Sequence, residues 1–195
     1  MQYFAIQVRT THEDEYAHRA AVMRPDIVVH VLKKKLMIRK KGKLVPEMSC
    51  LFPGYVIIEQ EDDGLSLVVK AHLRSTTGFV RFLPETTNPK PFNAADVQII
   101  HRFVSLGGKI GLSKVVFDEN DRIKVLEGPL MGLEGRIIKV DRRKHRIKIR
   151  LDMYSDMILF DLGYDLVVPV DTKSAPAPNG GKAPAASAGG EGTQT

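Results

Sequence analysis

The chain contains no tryptophan and a single cysteine, Cys50. One cysteine excludes an internal disulfide framework and a zinc site built from cysteines, and Cys50 is interpreted as a small core residue. Aromatic residues make up only 7% of the chain, so we expect small cores. No apolar run approaches the ~18 residues of a transmembrane helix, and the N-terminus lacks the basic flank and apolar core of a secretory signal. These absences predict a protein of the reduced cytoplasm with no membrane partner.

The chain also lacks the patterns of common catalytic sites. No glycine-rich loop ends in Lys-Ser or Lys-Thr, no Gly-x-Ser-x-Gly elbow occurs, and the histidines are too scattered for a zinc site. We therefore expect no enzymatic activity, no catalytic residue, no metal and no cofactor. The six histidines are interpreted as surface or capping residues: His12, His18, His30, His72, His101 and His145.

Positive charge is in excess, with a formal net charge of +6, which favours an anionic partner. A first concentration lies in residues 33–43, which contain lysines and arginines and no acid. This segment is predicted to form a basic hairpin around Gly42. Contact with upstream or non-template DNA is one interpretation, and a solvated charged face is the other.

The second concentration of positive charge lies in residues 139–150. Strand parity puts Ile147, Ile149 and Leu151 on one face and the intervening cations on the other. Clustered lysines and arginines suit contacts with nucleic-acid phosphates, and a solvated charged face is the alternative. We interpret this cluster as an RNA-binding site made of Lys139, Arg142, Arg143, Lys144, Arg146, Lys148 and Arg150.

The pattern of elements differs between the two ends of the chain. In the N-terminal part strands alternate with helices, which are predicted after residue 12, at 66–72 and at 94–106, the last capped by Asn93. This order predicts an α+β domain with helices on a small antiparallel sheet. From residue 115 short strands follow one another about every ten residues, which is typical of a small barrel. The predicted strands are 115–117, 122–126, 135–140, 146–151, 157–161 and 166–168.

These patterns predict four regions. The N-terminal domain is residues 1–108, and residues 109–114 form a flexible linker. The all-β barrel is residues 115–170. The tail, residues 171–195, is rich in Ala, Pro, Gly and Ser, and is predicted to be disordered because it has too little apolar surface to bury.

Residues 125–141 read as a strand, a Gly-Pro turn, further glycines and a second strand. This segment resembles a KOW motif, the signature of a small SH3-like barrel in ribosomal proteins and NusG-type transcription factors. A glycine-rich hairpin of an unrelated barrel is the alternative. The residues of the KOW turn are Gly128, Pro129, Gly132 and Gly135.

Upstream, the run Leu-Phe-Pro-Gly-Tyr-Val-Ile-Ile at residues 51–58 is similar to the Phe-Pro-Gly-Tyr-Val run of NusG proteins. With both signatures in this order, the chain resembles the NusG family over nearly its whole length except the tail. The resemblance implies a monomeric, non-catalytic transcription elongation factor. Its N-terminal domain is expected to dock on the clamp helices of the largest RNA polymerase subunit. The implied docking residues are Tyr3, Phe4, Phe52, Pro53 and Tyr55. The alternative is that the aromatic residues, Phe4 and Tyr55 above all, fill the core between helix and sheet.

In NusG proteins the barrel binds the ribosomal protein NusE and the terminator Rho around a loop that matches Met153, Tyr154, Ser155 and Asp156. Here Ser-Asp replaces the family's Gly-Arg. That departure, with the basic segment, resembles LoaP, a NusG paralogue that acts in transcription antitermination and recognises an RNA hairpin in the leader. Nascent RNA is therefore the implied partner. The alternatives are a housekeeping NusG that engages Rho or NusE, and a KOW RNA-binding module without polymerase contact.

Overall fold

The structure is a computed structural model that describes residues 1–61, 64–154 and 156–167. The predicted tail, residues 171–195, and Ser155 of the predicted factor-binding loop lie outside the described residues. The described chain is a mixed α/β structure with three helices and several sheets. Within it, no helix combines the length and the apolar character needed to cross a membrane.

The N-terminal part is built on a four-stranded antiparallel sheet with the strand order β2 (Val28–His30), β5 (Tyr55–Gln60), β1 (Gln2–Val8) and β6 (Phe79–Phe82). Strict alternation along β1 turns Tyr3 and Ala5 to one face and Phe4, Ile6 and Val8 to the other. The strands and helices up to residue 105 are β1 (Gln2–Val8), α1 (Glu13–Met23), β2 (Val28–His30), β3 (Lys33–Lys40), β4 (Lys43–Cys50), β5 (Tyr55–Gln60), α2 (Leu67–Ser75), β6 (Phe79–Phe82) and α3 (Ala94–Ser105).

The three helices cover the two faces of this sheet. Helices α1 and α2 lie over the face of Phe4, where the Tyr16 hydroxyl donates to the Leu73 carbonyl at 2.8 Å. Helix α3 packs on the face of Tyr3. The Asn93 side chain accepts a hydrogen bond from the Asp96 amide at 2.9 Å. This cap confirms the predicted start of α3.

The basic segment forms the predicted hairpin. Strands β3 and β4 pair in antiparallel register, and Lys41 and Gly42 make the turn at positive φ. A two-residue strand, β7 (Lys109–Ile110), adds to β3 in parallel. The segment predicted as a linker, residues 109–114, thus contains strand structure, and the Ile110 side chain is fully buried.

The C-terminal part is a five-stranded sheet that we call the C-terminal sheet. Its strand order is β10 (Ile137–Asp141), β11 (Arg146–Met153), β12 (Asp156–Leu166), β8 (Ser113–Phe117) and β9 (Ile123–Glu127). One turn of 3-10 helix lies at Glu134–Arg136. Strand β12 corrects the sequence prediction, which split it at 161 and 166. It stays continuous because Gly163 pairs with Arg146 of β11 and Tyr164 pairs with Ser113 of β8.

Two apolar cores hold these layers. The smaller lies between the N-terminal sheet and helices α1 and α2. The larger is continuous from the opposite face of that sheet, through α3, into the C-terminal sheet. The two parts of the chain therefore share one core, and we call this packing the closed arrangement.

Candidate functional site

The turn between β4 and β5 carries the Phe-Pro-Gly-Tyr run. Gly54 adopts a φ of +82°, which favours glycine. Its amide donates to the Glu13 carboxylate at 2.5 Å, and the Tyr55 amide donates to the Phe52 carbonyl at 3.0 Å. Glu13 is only 6% exposed, so its buried carboxylate joins the turn to the start of helix α1. No sequence pattern marks this role of Glu13 beyond its acidic position in the first helical turn.

The predicted docking residues are only partly brought together. Tyr3 and Phe52 are buried in the larger core, and the half-buried Tyr55 packs against that core. Pro53 is exposed. Phe4 points to the other face of β1 and lies in the smaller core. The structure therefore groups Tyr3, Phe52 and Tyr55 on one side of the sheet and separates Phe4 from them.

The ring of Phe52 is covered by the C-terminal sheet. Phe160 of β12 meets Phe52 edge to face at 5.4 Å between ring centroids, and it meets Phe103 of α3 in the same manner at 6.2 Å. All three side chains are at most 3% exposed. Because Phe160 lies between a predicted docking residue and solvent, the closed arrangement hides part of the predicted docking surface.

Polar contacts flank this aromatic cluster. The Arg136 guanidinium donates to the Asp96 carboxylate at 2.9 Å, and Asp96 is only 1% exposed. Arg102 of α3 donates to the carbonyl of Gly128 at 3.1 Å and to that of Met131. The ion pair of Asp96 and Arg136 joins α3 to the turn before β10, so it forms only in the closed arrangement.

The predicted factor-binding loop also packs against the N-terminal part. Met153 is 2% exposed. The Tyr154 ring stacks on Phe92 at 5.4 Å, and its hydroxyl donates to the Lys90 carbonyl at 2.8 Å and accepts from the Ala5 amide at 3.2 Å. Burial raises the pKa of Tyr154 to about 12. The closed arrangement thus covers this loop together with Phe52.

The turn between β9 and β10 contains the residues of the predicted KOW turn, and its backbone is most crowded at Gly128. Gly128 has a φ of +106°, and a Cβ there would lie 2.8 Å from the Ser113 Cα. The Ser113 hydroxyl accepts from the Leu130 amide at 2.9 Å, and Pro129 is buried. Gly132 also has a positive φ, whereas a Cβ on Gly135 would meet no atom within 4 Å. The geometric need for glycine is therefore strongest at Gly128.

The predicted alternation along β11 is confirmed. Ile147, Ile149 and Leu151 are fully buried. Some cations of the other face and of the turn before β11 are already paired with acidic side chains. Lys148 pairs with Asp161 at 3.0 Å, Arg150 pairs with Asp152 at 2.8 Å, and Arg142 pairs with Asp121 at 2.8 Å.

The remaining cations of the cluster have no ion pair within the described part of the chain; they are Lys139, Arg143, Lys144 and Arg146. Lys139, Arg143 and Lys144 are exposed. The Nε of Arg146 is buried and has no hydrogen-bond partner among the described residues. The Asp141 carboxylate accepts from the Lys144 amide at 2.9 Å, which lowers the pKa of Asp141. These four cations are therefore the ones available to an anionic ligand.

Comparison with known proteins gives the context for this geometry. Residues 1–101 match a family model described as "Transcription termination factor nusG". The "Transcription termination/antitermination protein NusG" of Thermus thermophilus is 26% identical over 139 residues, which cover 69% of this chain and 71% of that protein. The protein of the same name from Streptococcus pyogenes serotype M3 is 25% identical over 126 residues, which cover 65% and 68%.

A solved structure titled "Domain interaction in Thermotoga maritima NusG" also aligns with this chain. The alignment covers 83% of this chain and 93% of that chain, at a TM-score of 0.43 and 15% identity. None of these names denotes a catalytic activity.

Proposed function

Since the chain belongs to the NusG family of transcription termination and antitermination factors, we propose that it is a non-catalytic elongation factor that makes transcription resistant to termination. It docks on RNA polymerase through its N-terminal part and contacts nascent RNA through the cations of its C-terminal sheet. This division of labour follows the LoaP branch of the family. Residues 1–108 form the polymerase-binding unit, and residues 115–170 form the RNA-contacting unit.

The grouping of Tyr3, Phe52 and Tyr55 on one face of the N-terminal sheet carries the proposal of docking. Buried aromatic anchors supply most of the binding energy in many interfaces, and the family resemblance implies the clamp helices of the polymerase as the partner. Phe160 covers Phe52 in the closed arrangement. Docking therefore requires the C-terminal sheet to leave this face. Phe4 supports the sheet from the opposite side and makes no contact with polymerase in this proposal.

The face of β11 that bears cations supports RNA contact. Its isoleucines face inward, so the cations between them lie on the other face, beside Lys139 of β10 and the turn that contains Arg143 and Lys144. Lys139, Arg143, Lys144 and Arg146 make the main phosphate contacts, since they have no acidic partner in the described chain. Arg142, Lys148 and Arg150 contribute only when an RNA phosphate displaces their carboxylates.

The housekeeping role that couples polymerase to Rho or NusE is less well supported. It uses the loop of Met153 and Tyr154, in which Ser-Asp replaces the Gly-Arg of NusG proteins. Opening uncovers this loop together with Phe52, so the closed arrangement does not separate the two roles. A basic outer face is also not required for it. We therefore prefer the LoaP-like role.

Transcription across a terminator by purified RNA polymerase tests the proposal. The full chain should raise readthrough on a template that encodes an RNA hairpin in its leader. The matched control is a chain in which Phe52 and Tyr55 are replaced by alanine. Its readthrough should equal that of polymerase without the factor. Equal readthrough with and without the wild-type chain on every template would contradict the proposed function.

A further inference from the structure

The two basic segments, far apart in the sequence, meet in the closed arrangement. Gly163 of β12 pairs with Arg146 of β11. A Cβ on Gly163 would lie 2.6 Å from the carbonyl oxygen of Lys35 in β3. The backbones of β12 and β3 are thus in direct contact at this glycine. The contact brings the N-terminal basic hairpin beside Arg146 and the turn that precedes it.

A hollow of about 170 Å³ lies between these segments. The hairpin lines it with Met37, Ile38, Arg39 and Leu44, and the C-terminal sheet lines it with Arg143, Lys144 and Arg146. A second hollow of about 190 Å³ continues along the C-terminal sheet and is lined by Lys139, Asp141, Lys144, Arg146, Lys148 and Asp161. The hollows share Lys144 and Arg146, so they adjoin, and we call the two together the groove.

The charge in this groove is uncompensated where the two parts meet. In the part of the chain that the structure describes, three arginines and a lysine line the first hollow, and no acidic residue does. The buried Nε of Arg146 lacks an acceptor within the described residues. Burial lowers the pKa of the adjacent Lys34, Asp161 opposes that shift, and Arg146 adds to it. Cations held this close repel one another unless an anion lies between them.

We propose that a structured RNA binds along this groove, with its backbone held jointly by the N-terminal hairpin and the C-terminal sheet. The site is composite, because Arg39 comes from one part of the chain and Arg143, Lys144 and Arg146 come from the other. Among the described residues no aromatic side chain lines either hollow, so unpaired bases find no stacking platform there and the phosphates of a paired stem are the better fit. The identification of the ligand as RNA rests on the proposed function.

At the composite site, RNA binding and docking on polymerase oppose each other. It exists only while the parts are closed, and closure covers Phe52. RNA binding therefore favours closure, and docking on polymerase removes the hairpin's share of the RNA contacts. By reciprocity each ligand weakens the other by the same factor. The cations of the C-terminal sheet keep their RNA contacts after docking, so RNA and polymerase can be bound together, each more weakly than alone.

Binding of an RNA hairpin with a fully paired stem to the full chain, measured over a series of salt concentrations, tests the composite site. Arg39→Gln should weaken binding at low salt and reduce the logarithmic salt slope by about 1, as the loss of one phosphate contact does. The matched control is Arg74→Gln, which removes an exposed arginine of α2 that lines neither hollow. It should leave the slope close to that of the wild type.

The outcomes separate this inference from the proposed function. If Arg39→Gln binds like the wild type while joint neutralisation of Arg143 and Lys144 abolishes binding, the composite site is wrong and the RNA-binding function stands. If the wild-type chain binds no RNA at low salt, both fail. If a DNA hairpin of the same sequence binds more tightly than the RNA, the groove belongs to DNA and the inference is overturned.

Closure is tested without touching a cation of the groove. Asp96→Ala removes the partner of Arg136, which lines neither of the two hollows. If the groove needs closure, this variant should bind the RNA more weakly than the wild type and bind polymerase more tightly. Unchanged RNA affinity in a variant that binds polymerase more tightly would show that the groove does not depend on closure.

Discussion

The Phe160 ring meets the Phe52 ring edge to face at 5.4 Å, and both side chains are at most 3% exposed. One ring belongs to the C-terminal sheet, and the other follows β4 in the N-terminal part. The contact therefore joins the proposed polymerase-binding surface to the unit proposed to contact RNA. Any ligand that needs Phe52 competes with Phe160 for the same apolar surface.

Replacement of Phe160 by alanine should open the molecule. Loss of a buried phenylalanine costs about 3–5 kcal/mol of stability, and here much of that loss falls on the contact between the two parts. We expect tighter binding to polymerase together with a lower free energy of unfolding, measured by titration and by chemical denaturation.

The control for this variant is Phe82→Ala, which removes an equally buried ring from the smaller core. It should destabilise the chain without strengthening polymerase binding. If both variants bind polymerase as the wild type does, Phe160 does not guard the docking surface.

Gly163 provides a second way to separate the two parts. An added Cβ would approach the Lys35 carbonyl to 2.6 Å, which backbone atoms cannot accommodate without movement. Gly163→Ala should therefore destabilise the chain by about 1–3 kcal/mol, as overpacking does, and push β12 away from β3. Gly135→Ala is the matched control, because a Cβ there meets nothing within 4 Å. Equal stability of the two variants in thermal unfolding would refute the close contact.

The tyrosine at the end of β11 predicts how stability depends on alkaline pH. Burial raises the pKa of Tyr154 from 10.0 to about 12, so between these values the folded chain holds a proton that the unfolded chain releases. Stability is fully present below the unfolded value and falls as the pH rises toward the folded value. Tyr154→Phe should be less stable at neutral pH, since it loses two hydrogen bonds.

Denaturation curves from pH 9 to pH 12 check this prediction. The wild type should lose stability more steeply over that range than Tyr154→Phe. Tyr16, whose pKa is also raised by burial, remains in both proteins and provides the shared background. Parallel curves for the two proteins would show that Tyr154 does not release its proton when the chain unfolds over this pH range.

The cations of the C-terminal sheet should differ in their contribution to RNA binding. Arg143 and Lys144 have no carboxylate partner in the described chain, whereas Lys148 and Arg150 do. Neutralising the first pair to glutamine should reduce the logarithmic salt slope of RNA binding by about 2, and neutralising the second pair should reduce it less. Equal reductions for both pairs would mean that RNA displaces the carboxylates freely.

Local patterns in the sequence were enough to predict several elements. The alternation of isoleucines along β11 predicted its buried face, and Asn93 predicted the start of α3, because strand parity and helix capping act between residues close in the chain. The turn at Gly42 and the tight turn at Gly128 were predicted for the same reason.

The closed arrangement had no such local signal. Asp96 and Arg136 lie 40 residues apart, and neither position has a spacing that marks a partner. The sequence around Phe160 did not distinguish burial within the C-terminal sheet from contact with Phe52 of the N-terminal part. Gly163 was the one usable sign, since a glycine within a strand often marks the close approach of another backbone. The sequence prediction instead placed two short strands where β12 is continuous.

A titration of purified RNA polymerase with the full chain tests the central claim most directly. The wild type should bind, and joint replacement of Phe52 and Tyr55 by alanine should weaken binding by about 2 kcal/mol or more, as the loss of buried aromatic anchors does, while circular dichroism shows a folded chain. Absence of wild-type binding, or equal affinity of a folded double variant, would contradict the account.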